Sequence, residues 1–301
     1  MNIISTGTSG FVGTNLVSYL KEKSDFDIKT LILRDDWNIT HLESFDCIIH
    51  LAGKAHDLKN TTNAEEYYQV NTELTKKLYD AFLKSNAKKF IFISSVKAAA
   101  DSVESILTED AKPLPQTHYG KSKLLAEQYI QSQTLPAGKS YYILRPCMIH
   151  GPGNKGNLNL LYNFVKKGIP YPLAAFENKR SFLSVENLCF VIKELLDQNV
   201  PSGIYNIADD ESLSTTELVM EIALNLGLKP KLWHIYPAII EGIAKVGEAL
   251  KLPLNPERLT KLTQSYQVSN LKIIRAIGKV LPFSARQGLT KTLRSFTTRD
   301  F

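Results

Sequence analysis

Three glycines, Gly7, Gly10 and Gly13, stand three residues apart between a short run at residues 2–6 and an amphipathic stretch at 11–23. That placement constrains the chain more than any other feature. It predicts a buried strand, a tight turn and a helix whose inner side carries Phe11, Val12, Leu16 and Leu20. Glycines let the backbone turn sharply and approach a pyrophosphate. The helix N-terminus behind them offers amide donors and partial positive charge. A turn without any ligand is the competing structural reading.

The same alternation continues downstream. Strands are predicted at 29–33, 47–51, 90–93 and 141–144, the last closed by Arg145-Pro146. Between them lie a helix over 65–85, with Val70, Leu74, Leu78 and Phe82 at helical spacing, and another from Tyr119 to about Ser132. Apolar strands alternating with helices imply an α/β fold, a doubly wound parallel sheet covered by helices. From Gly151 the pattern becomes irregular, and then a helix near 185–198 and a strand at 204–207 return to the sheet. The expected division is a dinucleotide-type domain at 1–150 plus about 184–208. A smaller, mostly helical substrate domain takes 151–183 and 209–301.

With 301 residues, 44% of them hydrophobic, the chain can bury a large core. Its net charge of +6 is spread along the sequence, with no arginine-rich run and no aromatic RNA-binding motif. A nucleic-acid partner is therefore not expected, and an anionic small substrate is compatible. Cys47, Cys147 and Cys189 lie far apart in apolar stretches and read as core thiols, not as a disulfide frame or metal site. No apolar stretch approaches the roughly 18 residues of a membrane span, and the N-terminus carries no cleavage signature. The expected location is cytoplasmic.

Tyr119 and Lys123 share one helix face, which brings a phenol and an ammonium within reach of each other. A nearby cation favours phenolate, and lowering a phenol from about 10 to neutrality corresponds to roughly 4 kcal/mol. Behind a nucleotide-binding start, this pair points to proton transfer beside a hydride carrier. The end of the second strand reads Leu33-Arg34-Asp35. A guanidinium there suits a 2′-phosphate, so NADP(H) is favoured, while Asp35 turned inward would accept NAD(H). A merely solvated Arg34 is the bland alternative.

Together these residues resemble the extended short-chain dehydrogenase/reductase family of nucleotide-sugar epimerases, dehydratases and reductases. The resemblance spans nearly the whole chain. Its landmarks are the glycine triplet, Asp46 through His50-Leu51-Ala52-Gly53, Asn71-Thr72, Ser94-Ser95, Tyr119-x3-Lys123, and Arg145-Pro146 with Gly151-Pro152-Gly153. The family implies a Rossmann domain and a smaller domain for a UDP- or dTDP-sugar. It implies Ser95, Tyr119 and Lys123 as the catalytic set. Tyr119 would exchange a proton with the sugar oxygen, Ser95 would hydrogen-bond that oxygen, and Lys123 would hold the nicotinamide ribose. The implied cofactor contacts are Gly7, Ser9, Gly10, Phe11, Val12, Gly13, Arg34, Leu51, Ala52, Gly53, Asn71, Ser94 and Pro146, with Tyr119 and Lys123. Helices 65–85 and 119–132 would pair in a homodimer as in family dimers.

The residues after Ser95 separate the family's reactions. Dehydratases carry an Asp-Glu pair there, and this chain has Val96-Lys97, which disfavours elimination of water. Epimerases usually carry a small residue and Thr, followed by Val-Tyr-Gly, where this chain reads Ala98-Ala99-Ala100. Ser-Ser-Val-Lys most resembles bacterial reductases of UDP-linked 4-keto-6-deoxy-N-acetylhexosamines, which serve surface polysaccharides. A nucleotide-sugar 4-epimerase with tightly bound NAD is the alternative, and a catalytically idle NADP sensor is the outside one. Substrate contacts are expected at Ser95, Val96, Lys97, Asn157, Arg180 and Arg258, with Lys155 a weaker candidate. Arg180 belongs to a segment whose guanidinium pairs with diphosphate in the family. Asn187 and His150 stand where the family more usually has Asp and Tyr. His50 is expected to be buried beside the cofactor, and neither it nor His56 belongs to a metal-ligand spacing. Residues 233–252 have apolar side chains at near-helical spacing, expected to serve core or lid packing. Contact with a membrane surface, for a lipid-linked substrate, is the alternative.

Overall fold

A computed structural model describes residues 1–54, 63–154, 156–249 and 255–297, with the side chains of residues 247–249, 258 and 297 outside the described set. Six parallel strands form the central sheet: β1 (Asn2–Thr6), β2 (Asp27–Leu31), β3 (Cys47–His50), β4 (Lys89–Ile93), β5 (Ser140–Pro146) and β8 (Gly203–Ile207). Their order is β2-β1-β3-β4-β5-β8. The chain leaves β1 first toward β2 and later returns on its other side as β3. The crevice beyond the carboxyl ends of β1 and β3 is the switch point where such sheets bind ligands.

Successive strand residues face opposite sides, and both sides are buried. Ile3, Ile49 and Ile91 pack with Leu16 and Leu20 of α1 (Phe11–Lys23) and with Leu188 and Ile192 of α6 (Val185–Asp197). Their neighbours Ile4, Ile48 and Phe90 face Leu78 and Phe82 of α3 (Leu74–Lys84) and Ala126 and Ile130 of α4 (His118–Ser132). A separate apolar cluster joins α5 (Asn157–Lys166), α7 (Thr215–Asn225), α8 (Pro237–Ala249) and α11 (Ala285–Thr297). Two shorter helices complete this end, α9 (Pro256–Thr263) and α10 (Leu271–Ile277), the latter packing Ile273 and Ile277 into the sheet's core.

Several sequence expectations shift. The second strand runs Asp27–Leu31, two residues earlier than read, because β2 is an edge strand and exposes most of its side chains. The helix expected over 65–85 is three pieces, α2 (Ala64–Tyr68), a π-helical turn at Gln69–Glu73, and α3. The region after residue 146 also holds a small second sheet missed in the sequence. In it β6 (Met148–His150) pairs in parallel with β7 (Arg180–Ser184), and β9 (Ser212–Leu213) runs antiparallel to β7.

Candidate active site

The glycine loop closes on itself at the end of β1. Gly10 N–H donates to the Gly7 carbonyl at 3.1 Å, and Gly7 adopts φ +70°, which a side chain would oppose. A methyl group on Gly13 would sit 2.3 Å from the Gly7 oxygen, so the loop and α1 can approach only through glycine. Gly10 caps α1 without any side-chain hydrogen bond. The first-turn amides, at Phe11, Val12 and Gly13, therefore lack a capping side chain and suit phosphate oxygens. Thr8 and Thr30 hydroxyls meet at 2.9 Å and fix the loop to β2. Beyond β2 the chain turns through a 3.2 Å bond from Asp35 N–H to the Ile32 carbonyl, leaving Arg34 and Asp35 both exposed at the loop's edge.

Ser95, Tyr119 and Lys123 converge beyond the ends of β3 and β4. Thr117 caps α4 by accepting the Gly120 amide at 3.2 Å, which starts the helix at His118, one residue before Tyr119. Ser95 Oγ accepts the Lys97 amide at 3.2 Å and hydrogen-bonds the Tyr119 phenol. The Tyr67 ring lies edge-on to Tyr119, with centroids 6.2 Å apart. Lys123 is 4% exposed; its Nζ donates to the Ile93 carbonyl at 2.9 Å and lies 4.8 Å from the Phe92 ring centroid. A Cβ on Gly53 would come within 3.0 Å of that Nζ, so the ammonium rests against bare backbone after β3.

The electrostatics differ from the sequence expectation in one respect. Burial raises the Tyr119 phenol above its usual 10, the Ser95 hydrogen bond opposes this, and Tyr67 adds to it. The net direction is therefore upward, opposite to the lowering expected from the Tyr119–Lys123 spacing. Burial moves Lys123 to about 8, with Glu127 pulling the other way, so the lysine's charge is itself weakened.

Around this centre, one hydrogen-bonded chain fixes the protons. Thr75 Oγ1 donates to the Asn71 carbonyl at 2.8 Å, so it accepts from His50 Nε2 at 2.9 Å. His50 Nδ1 therefore accepts from Thr6 Oγ1 at 2.8 Å, while Thr6 Oγ1 accepts the Ala52 amide at 3.1 Å. Burial and the Lys123 charge hold His50 near 3, so it stays neutral and orders the β1 and β3 ends. Asn71 spans the site, accepting the Lys54 amide at 2.7 Å and donating to the Lys54 carbonyl and Ser122 Oγ, each at 3.1 Å. Thr72 donates to the Ser122 carbonyl at 2.8 Å. The π-helical turn puts these two neighbouring residues onto α4 together.

Beneath the site lies a buried ion pair that sequence reading missed. Arg145 and Glu127 are almost wholly enclosed, with Arg145 Nε at 3.0 and 3.1 Å from the two carboxylate oxygens. Ser94, expected at the cofactor, donates its hydroxyl to Glu127. Lys97 donates to the Asp101 carbonyl at 2.8 Å and lies 4.5 Å from the Tyr266 ring centroid. Burial lowers Lys97; Asp101 opposes this, and the charges of Arg180 and Lys261 add to the lowering. Lys97 and Arg180 thus share one half-buried neighbourhood. Val96, expected against the sugar, is buried, because the Ser95-capped turn at Val96–Ala98 points its side chain inward. Asn157 is exposed at the first position of α5. Pro146 is buried at the end of β5, and Leu51 is half-buried after β3. Ser9 is exposed in the glycine loop. His56 and Lys155, and the side chain of Arg258, lie outside the described residues.

The sequence pattern of the NAD dependent epimerase/dehydratase family matches residues 3–208. The chain belongs to that family. It is 31% identical to a UDP-glucose 4-epimerase of Vibrio cholerae, over 98% of this chain and 95% of the relative. It is 30% identical to an N-acetyl-alpha-D-glucosaminyl-diphospho-ditrans,octacis-undecaprenol 4-epimerase of Escherichia coli O157:H7, over 97% and 94% of the two chains. In architecture it resembles MoeE5, solved in complex with UDP-glucose and NAD, with TM-score 0.78 at 19% identity and full coverage of both chains.

Asn187 and His150, the two positions expected to depart from the family's usual residues, both meet Asp209 in one buried polar cluster. Asn187 donates to Asp209 Oδ1 at 2.7 Å and to the Phe283 carbonyl at 2.8 Å. His150 Nδ1 meets Thr292 Oγ1 at 2.8 Å, and its Nε2 lies 3.7 Å from Asp209. Asn15 Nδ2 donates to the Pro152 carbonyl at 3.0 Å, tying α1 to the loop after β6. No local signal marks Asn15, Glu127 or Asp209, since each acts on a residue at least 18 positions away. The three cysteines are buried and unbridged, as core thiols should be.

Proposed function

We propose that this protein interconverts C4 epimers of a diphosphate-linked sugar, the second of the two enzymatic readings the sequence offered. The observation that carries the proposal is the Ser95–Tyr119 hydrogen bond beside Lys123, in a site with Val96-Lys97 in place of a carboxylate pair. Such a site can move a proton and orient a ketone but has no acid–base pair for removing water. Two relatives named as 4-epimerases, aligned over nearly the whole chain, support the choice.

In this reading the glycine loop and the α1 amides hold the pyrophosphate of a nicotinamide dinucleotide, and Lys123 faces its ribose beside Gly53. The bound nicotinamide supplies a hydride acceptor and then a donor at the sugar's C4. Tyr119, as phenolate, would take the O4 proton during oxidation at C4 to the 4-ketone and return it to the same oxygen when C4 is reduced again. Ser95 holds the same oxygen through both halves. Lys97 and Arg180 face the anionic part of the substrate. The dinucleotide occupies the part formed by residues 1–150 and 184–208; the sugar lies toward 151–183 and 209–301. The active species is a homodimer paired through the helices at 65–85 and 119–132.

A reductase of 4-keto sugars is the second reading, favoured by Arg34 at the β2 turn and by Lys97 after Ser95-Val96. Arg34 favours NADP, and NAD fits the same loop. Mixing purified protein with UDP-N-acetylglucosamine or UDP-glucose, without added reductant, separates the readings. Conversion to the galacto epimer is expected. No conversion, together with stoichiometric NADPH consumption on a 4-keto nucleotide sugar, would establish the reductase instead.

A further inference from the structure

Helix α8 buries only part of its apolar surface. Ile240 and Ala244, four residues apart, face the core. Ile239, Ile243 and Val246 form a second stripe at i, i+4 and i+7, on the side away from Glu241 and Lys245. The segment entering the helix adds Trp233 and Tyr236, and all five of these large side chains are at least 52% exposed. The packing expected from the sequence therefore accounts for one side of the helix, and among the described residues nothing covers the other.

The start of that segment and the end of α5 together carry a cluster of one charge. Lys166, Lys167, Lys229 and Lys231 line a cleft of about 250 Å³ with Ile169 and Leu228, and no carboxylate lines it. Trp233 follows directly, since its amide donates to the Tyr171 carbonyl at 2.9 Å along the extended strip that begins at Lys231. In such a strip Lys231 and Trp233 point to one side, while Leu232 packs against the core.

We propose that this face, running from Lys229 to Val246, docks the protein on an anionic lipid surface. An amphipathic helix lying in the membrane interface needs an exposed apolar stripe next to basic side chains, and both are present. No helix among the described residues is long and apolar enough to cross a membrane, so the contact is peripheral. A second copy of this chain fits less well, because a two-fold contact here would oppose the lysine cluster to itself. Helix α9 packs on α8, and Lys261 of α9 is near enough for its charge to act on Lys97. Docking would thus hold the sugar side of the site close to the lipid. The proposal goes beyond the reaction and stands whichever of the two activities the protein has.

The test is co-sedimentation of the full chain with mixed phosphatidylglycerol–phosphatidylethanolamine vesicles, against pure phosphatidylcholine vesicles. Binding to the anionic vesicles alone is expected. The double variants Lys229→Glu/Lys231→Glu and Ile239→Glu/Ile243→Glu should each lower it at least about tenfold while leaving the thermal unfolding midpoint unchanged. In a Trp37→Phe background Trp233 is the remaining tryptophan, and its emission should shift to the blue on vesicles. Absence of binding, equal binding by the variants, or conversion of a dimer to a monomer by the Ile239→Glu/Ile243→Glu pair would overturn the proposal. The last result would assign the face to a second copy.

Discussion

Replacing Lys123 by Met should make the protein more stable and inactive at once. The lysine is 4% exposed and titrates near 8 in the folded chain, against 10.5 for an ordinary lysine. At pH 7 both folded and unfolded chains hold the proton, and holding it inside the protein costs about 3 kcal/mol. Methionine removes that cost but forfeits the 2.9 Å hydrogen bond to the Ile93 carbonyl, worth about 1 kcal/mol. The net gain is about 2 kcal/mol at pH 7. Because the folded chain binds the proton less tightly, the wild type itself gains stability as pH rises from about 8 to 10.5. The advantage of the variant should therefore shrink over that window. Guanidinium unfolding midpoints of both proteins, measured from pH 7 to 10, read this directly. A variant no more stable than wild type at pH 7, or a difference independent of pH, would refute the assignment of a lysine whose charge is held at a cost inside the protein.

Three further outcomes follow from the geometry. Gly13→Ala places a methyl 2.3 Å from the Gly7 oxygen and 2.5 Å from Thr8 Cα, both backbone, so dinucleotide affinity should fall at least about tenfold in a fluorescence titration. Glu127→Gln leaves the enclosed Arg145 guanidinium without its counter-charge; a loss of about 3–5 kcal/mol in chemical denaturation is expected. Tyr119→Phe should reduce turnover by about 10²–10⁴-fold, with dinucleotide affinity retained, when steady-state rates are compared with binding titrations.

What the sequence disclosed is what local pattern encodes. β1, β3, β4 and β5 are buried on both faces, so their apolar runs stand out. The glycine triplet is legible because backbone clearance admits no other residue at Gly7 and Gly13. Tyr119 and Lys123 are one helical turn apart, and the resemblance supplied Ser95. β2 was displaced because an edge strand with Asp27 and Lys29 exposed has no apolar run to read. The π-helical turn was invisible because Asn71 and Thr72 gain their meaning from Ser122, some fifty residues on. Polar joints such as Glu127–Arg145 and Asn187–Asp209 are set by tertiary position, which periodicity does not record. The burial of Val96 has a local cause, the short turn capped by Ser95, which spacing does not reveal.

The claim at the centre of this account is that hydride leaves and returns to the same carbon within one site built on Ser95, Tyr119 and Lys123. A UDP-sugar carrying deuterium at C4, incubated with the purified protein in ordinary water, tests it most directly. The account predicts a C4 epimer that keeps its deuterium, seen by mass spectrometry and proton NMR. Loss of the label to solvent during epimerisation, or recovery of unchanged sugar under conditions where the dinucleotide binds, would contradict it.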